Sequence, residues 1–85
     1  MGKTHDIESV IQRIVGEIGY KKVEYVEIKH YKGLHWIDFY IYNEKNKGFF
    51  ITCQYGRTSE EAKEKILRHL IILYNKVIGI KQKEK

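Results

Sequence analysis

The first apolar run follows a helical template without a miss: Ile7, Val10, Ile11, Ile14, Val15 and Ile18 sit at i, i+3, i+4, i+7, i+8 and i+11. This predicts a helix over about 6–18. Thr4 or Asp6 can cap its start, while Asp6 and Glu8 place negative charge on the positive end of its dipole. Gly19 is a natural terminator, and Tyr20 beyond it is placed to fold back on Val15.

The period then changes to two. Residues 22–31 and 34–42 read as strands around Lys32-Gly33, and a third runs from 48 to about 55 after the polar loop Asn43-Glu-Lys-Asn-Lys47. Lys-Gly is not a favoured two-residue turn, so a four-residue loop of the same parity is an alternative. Pairing Tyr31 with Leu34 sets Ile28 against Ile37 and Val26 against Phe39. Pairing Ile41 with Phe49 then sets Ile51 beside Phe39 and Cys53 beside Ile37. The face bearing Val26, Ile28, Ile37, Phe39, Ile41 and Ile51 becomes continuously aliphatic, which marks it as the side that helices cover. A slip of one residue would set Val26 against Asp38 and mix the faces. The other face receives a row Tyr25–Tyr40–Phe50, with Trp36 beside Lys29 and Gln54, and Tyr42 and Val23 flanking. A polar row, Glu27–Asp38–Thr52, is expected to cross it.

Thr58 with Glu61 forms a capping box that starts a second helix. Ala62, Ile66, Leu70, Leu73 and Val77 make its main stripe, which Leu67, Ile71, Tyr74 and Ile78 widen; Ile72 falls on the polar side. Gly79 is expected to end it, giving a helix over 59–78 whose last turns overhang the sheet. The pattern therefore predicts one α+β domain over 1–85, of order αβββα. Residues 5–79 should fold, 80–85 form a basic tail, and both helices pack on one face of a three-stranded antiparallel sheet.

Composition adds two constraints. With 85 residues and 42% apolar content the core must be thin, so self-association is an expected way to add buried area. The lone Cys53 cannot form an internal disulfide and lies in an apolar run, which points to a reducing compartment. No segment approaches the roughly 20 apolar residues of a membrane span, and the polar start Met1-Gly-Lys-Thr-His-Asp6 lacks a signal peptide's apolar stretch. A cytoplasmic protein with no membrane role is expected. Of the net charge of +5, the tail Lys81-Gln-Lys-Glu-Lys85 supplies +2, so the folded part carries a modest excess that permits attraction to phosphate without requiring it.

Catalytic and metal chemistry find little footing. His30 and His35 flank the first turn but lack a third ligand, and zinc wants three or four. They read best as a solvated pair, and His69 as a packing residue at the edge of the second helix's stripe. Glu27 and Asp38 form a carboxylate pair of the kind that can raise one pKa, but with Lys29 adjacent on a flat face they read as a neutralised pair. No phosphate loop, dinucleotide fingerprint or nucleophile elbow occurs. No catalytic residue, metal or small-molecule cofactor is expected. Gly56-Arg57-Thr58-Ser59 leads into a helix N-terminus that can hold an anion, with Arg57 as an added donor.

From Asp6 to Tyr74 the layout resembles the double-stranded RNA-binding domain. His35, four residues before Phe39, is similar to that family's hairpin histidine and core phenylalanine. Gly56, Thr58, Ala62 and Lys63 resemble the start of its second helix, and Glu8 and Gln12 resemble the polar pair that faces the RNA minor groove. The family's two adjacent phosphate-gripping lysines correspond here to Ser59 and Glu60, and the proline of its hairpin loop is missing. The resemblance implies a small basic, non-catalytic RNA-binding module with Glu8, Gln12, Lys32, His35, Arg57, Thr58 and Lys63 in contact. HicA-like toxins share the layout and place a catalytic histidine after a glycine. Gly33-Leu34-His35 is similar, which implies a small RNase as a third reading. The alternative drawn from the residues themselves is a homodimeric interaction domain that uses Tyr25, Lys29, Trp36, Tyr40, Tyr42 and Phe50 of the open sheet face.

Overall fold

The structure is a computed structural model that describes residues 6–83, the side chains of 29–31 and 80–83 excepted. Five elements follow in the order α1 (Ile7–Ile18), β1 (Lys22–Tyr31), β2 (Leu34–Tyr42), β3 (Gly48–Gly56) and α2 (Ser59–Lys83). The strands form one antiparallel sheet in the order β1-β2-β3. Ile11 and Val15 of α1, Ala62, Ile66 and Leu70 of α2, and Ile37, Phe39 and Ile41 of β2 make the buried core. Both helices therefore lie on one face of the sheet, as the periodicity predicts.

Local chemistry sets most boundaries where the sequence puts them. Asp6 caps α1, its carboxylate accepting from the Glu8 N–H at 3.2 Å. At the other end Gly19 takes a left-handed φ of 110°. The N–H groups of Gly19 and Tyr20 donate to the carbonyls of Gly16 and Val15, and Tyr20 packs on the core. The β1–β2 connection is a two-residue turn with positive φ at both Lys32 (56°) and Gly33 (77°), a backbone twist that suits a tight hairpin. The capping box forms at α2: Thr58 Oγ1 accepts from the Glu61 N–H at 3.0 Å, and the Glu61 carboxylate accepts from the Arg57 N–H at 2.6 Å.

Two β-bulges overturn the predicted register. Tyr31 does face Leu34, but one extra β1 residue intervenes before Ile28, which faces Trp36 rather than Ile37. From there Glu27 faces Ile37, Val26 faces Asp38, Tyr25 faces Phe39 and Val23 faces Ile41. Every side chain of that stretch changes face relative to the sequence-based pairing. On β3, Ile41 faces Phe49 as expected, but Ile51 is the extra residue, so Phe39 faces Thr52 and Ile37 faces Gln54. The first shift reconciles the parity of the tight turn with the need to bring Val23 and Tyr25 under the helices, where both pack on the core. The second turns Gly56 inward beneath the first turn of α2. A Cβ at Gly56 would come within 2.8 Å of the Glu61 Cβ, so glycine is what lets the capping box sit there.

A third difference lies at the C-terminus. The helix passes through Gly79 and continues to Lys83, beyond the predicted end at 78. Gly79 keeps a negative φ. At Gly19 the left-handed conformation ends the helix and Tyr20 folds onto the core, whereas Gly79 stays helical. A helical glycine then costs about 1 kcal/mol against alanine and no more.

Candidate interaction surface

The bulges decide what the uncovered face of the sheet carries. In the observed register its rows are Glu24–Tyr40–Phe50, Val26–Asp38–Cys53 and Ile28–Trp36–Tyr55, with Lys22 and Tyr42 at one end. Trp36 stacks on Tyr55 with centroids 4.8 Å apart, and Tyr40 meets Phe50 edge-to-face at 5.6 Å. Exposure is high for an apolar set: Val26 39%, Ile28 47%, Phe50 56% and Tyr55 45%. Glu27 and Thr52, expected here, lie on the helix side instead. Thr52 is buried, and the Glu27 carboxylate accepts from Ser59 Oγ at 2.8 Å. The expected polar row is thereby reduced to Asp38 alone, and the aromatic and aliphatic residues join into one surface.

Two pairs of polar groups on this face are engaged with each other, while the Trp36 Nε1–H is buried with no hydrogen-bond partner among the described residues. The Tyr42 hydroxyl donates to the Glu24 carboxylate, and this bond is the main reason its pKa is raised. The Cys53 thiol is pushed up to about 11 by lost hydration and by the Asp38 carboxylate, which accepts its hydrogen bond and repels a thiolate. Cys53 is exposed as a residue, so Asp38 is the cause with the firmer geometric footing. Either way the thiol is a poor nucleophile at neutral pH. The cations described near the face stand at its ends: Lys22 lies 5.1 Å from the Tyr42 ring centre, and Lys65 of α2 lies 4.6 Å from that of Tyr55.

Of the residues expected on this face, Trp36, Tyr40, Tyr42 and Phe50 are there. Tyr25 is not. It lies under the helices, tilted against Phe39 at 5.4 Å, and Lys63 Nζ stands 5.2 Å from its ring. Burial, then the charges of Glu8 and Asp6, hold the Tyr25 hydroxyl well above its ordinary pKa. Its oxygen has no hydrogen-bond partner among the described residues. The Lys29 and His30 side chains lie outside the described set. Sequence reasoning missed Val26, Ile28 and Tyr55. The signal that could have found Tyr55 is the aromatic match with Trp36 at the outer ends of neighbouring strands.

The residues implied by the RNA-binding resemblance fall on the other layer. Glu8 and Lys63 are paired with each other across α1 and α2. Gln12 Nε2 donates to the Lys21 carbonyl at 3.2 Å, and Thr58 caps α2. Arg57 is exposed, Lys32 is in the turn, and His35 faces Gly56 across the sheet. A shallow recess of about 390 Å³ lies beside this group, lined by Asp6, Glu8, Ser9, Gln12, Val23 and Tyr25. Two carboxylates in that lining oppose a phosphate. Among the described residues no cluster of three or more His, Cys, Asp or Glu is placed to hold a metal ion, and no helix is long and apolar enough to cross a membrane.

Comparison with protein-family models, curated proteins and solved structures gives no match to this chain. Its function is therefore argued from its own residues.

Proposed function

We propose that this chain is a non-catalytic self-association domain, a homodimer that buries its open sheet face. The observation that carries this reading is that Val26, Ile28, Phe50 and Tyr55 are exposed on one face of the sheet, around the half-buried rings of Trp36 and Tyr40. Contiguous apolar surface of this kind marks binding sites, and aromatic residues are enriched at interfaces. A single-stranded nucleic acid would stack on the same rings, but the strands present Glu24 and Asp38 among them, which repel a phosphate backbone. A thin core gives the physical motive, since a second copy adds the buried area that one short chain lacks.

Sedimentation equilibrium over a wide concentration range tests this. Wild type should pass from monomer to dimer. Phe50→Ala and Tyr40→Ala should each raise the dissociation constant by tens of fold, as truncating an aromatic hot spot worth about 2 kcal/mol does. A wild type that stays monomeric at high concentration removes the reading.

RNA binding by the helix layer is the competing use, and it has its own measurement. With Glu8 and Lys63 spent on each other, duplex RNA should bind weakly at low salt, and Arg57→Ala with Lys63→Ala should leave the salt slope nearly flat. A slope that drops by about one unit per lost contact would return the function to that surface.

A further inference from the structure

We infer that association through the open face is proton-linked: two Asp38 carboxylates meet across the dimer's two-fold axis and share a proton, so the dimer tightens as pH falls. This rests on the self-association proposed above and names what regulates that interface.

Asp38 occupies the centre of the open face. Strand β2 lies between β1 and β3, and Asp38 is the fifth of its nine residues, Leu34–Tyr42. Its row, Val26–Asp38–Cys53, has Glu24–Tyr40–Phe50 on one side and Ile28–Trp36–Tyr55 on the other. A half-buried carboxylate thus stands in the middle of a surface whose border is largely apolar and aromatic.

Symmetry turns that position into a self-contact. Two sheets packed face to face stand about 10 Å apart. The two-fold axis relating them lies in the plane between the sheets and passes through the middle of the shared patch. If the axis follows the strands, Trp36 and Tyr40 meet their own copies. If it crosses them, Val26 and Cys53 do so instead. Asp38 belongs to both the central strand and the central row, so it faces its own copy in either arrangement.

The surroundings leave that meeting uncompensated by charge. The ionisable groups described on this side of the sheet are Lys22 and Glu24 of β1, Tyr40 and Tyr42 of β2, and Cys53 and Tyr55 of β3. The Cys53 thiol donates a hydrogen bond to Asp38 without neutralising it. Glu24 already accepts from the Tyr42 hydroxyl. Lys22 and Lys65 stand against the rings of Tyr42 and Tyr55, at the ends of the face. Helix α1 and the core-packing part of α2 lie on the opposite side of the sheet.

Withdrawal from water disfavours a charged carboxylate, and a second carboxylate at short range disfavours it further. One proton held between the two removes their repulsion and supplies a charge-assisted hydrogen bond. The dimer therefore binds a proton that two separate chains release. By linkage, the stabilisation that proton provides is present at low pH and lost as pH rises.

Sedimentation equilibrium of the full chain between about pH 8 and about pH 5 tests this. The wild-type dissociation constant should fall by up to about tenfold per pH unit, the slope for one proton taken up per dimer. Asp38→Asn and Asp38→Ala both remove the charge. Each should dimerise at least about tenfold more tightly than wild type at about pH 8, with almost no pH slope left. Glu24→Gln, a carboxylate in the flanking row, should keep the wild-type slope. Circular dichroism of the dilute chains checks that all variants fold alike. A wild-type dimer indifferent to pH, a slope that survives both Asp38 variants, or Asp38 variants no tighter than wild type would each overturn the proton link and leave the dimer standing. Wild type and Asp38→Asn that both stay monomeric at every pH overturn the self-association reading itself.

Discussion

Phe39→Ala is expected to destabilise the domain by about 3–5 kcal/mol, the cost of removing a fully enclosed aromatic ring and leaving its cavity. Phe39 is wholly buried at the centre of β2 and packs on Tyr25. Among the described residues it belongs to a cluster of eight buried apolar residues with partly buried hydrophobics packed against it, so its loss opens the centre of the core. Domains have a total stability of about 5–15 kcal/mol, and one of 85 residues belongs near the low end. The variant should therefore be largely unfolded under mild heating. Phe50→Ala, the same chemical change on the exposed face, should leave the monomer within about 1 kcal/mol of wild type. Urea unfolding at a concentration that keeps the chain monomeric reads both. Equal effects of the two substitutions would contradict the division of the sheet into a covered and an open face.

How much of this was legible in the sequence divides along physical lines. Helix α1 was, from its first turn to its terminating glycine, because a strict 3.6-residue stripe admits one orientation, though the cap stayed open between Thr4 and Asp6 until the structure gave Asp6. The strand extents and the order αβββα were legible because alternation and a capping box agree, although Lys32-Gly33 is not a favoured two-residue turn. Register was not. In β1 both parities carry apolar residues, Val23 and Tyr25 on one, Val26 and Ile28 on the other. Choosing the more aliphatic side ignored that an aromatic ring is an equally good core filler. Bulges leave no compositional mark in a strand without an interior glycine, and here each one moves residues between core and interface. The open face was foreseen through Trp36, Tyr40, Tyr42 and Phe50. Its composition was not, because Glu27, Thr52 and Tyr25 exchanged sides with Val26, Ile28 and Tyr55. The end of α2 was misjudged at Gly79, because a glycine permits a left-handed terminator without requiring one and costs only about 1 kcal/mol inside a helix.

The exchange of sides in β1 has a direct stability signature. Tyr25 packs against Phe39 and beneath Lys63, and Tyr25→Ala should lower monomer stability by about 2–4 kcal/mol. Ile28, nearly half exposed on the open face, should tolerate Ile28→Ala at a cost below about 1 kcal/mol in the monomer. The sequence-based pairing of Ile28 with Ile37 would reverse these values, because Ile28 would then be a core residue and Tyr25 a surface one. Tyr25→Phe separates ring from hydroxyl. The hydroxyl is buried without a partner among the described residues, so its removal relieves a desolvated group and should be neutral or slightly stabilising. Ionisation gives a second reading of the same placement. Burial and the nearby Glu8 and Asp6 raise the Tyr25 pKa, and the bond to Glu24 raises that of Tyr42, so an alkaline absorbance titration should show two tyrosines ionising late. In Tyr25→Phe one of the two late ionisations, that of Tyr25, should vanish while the others remain. A normally titrating Tyr25, or an Ile28→Ala variant as unstable as Tyr25→Ala, would restore the register in which Val26 and Ile28 face the helices.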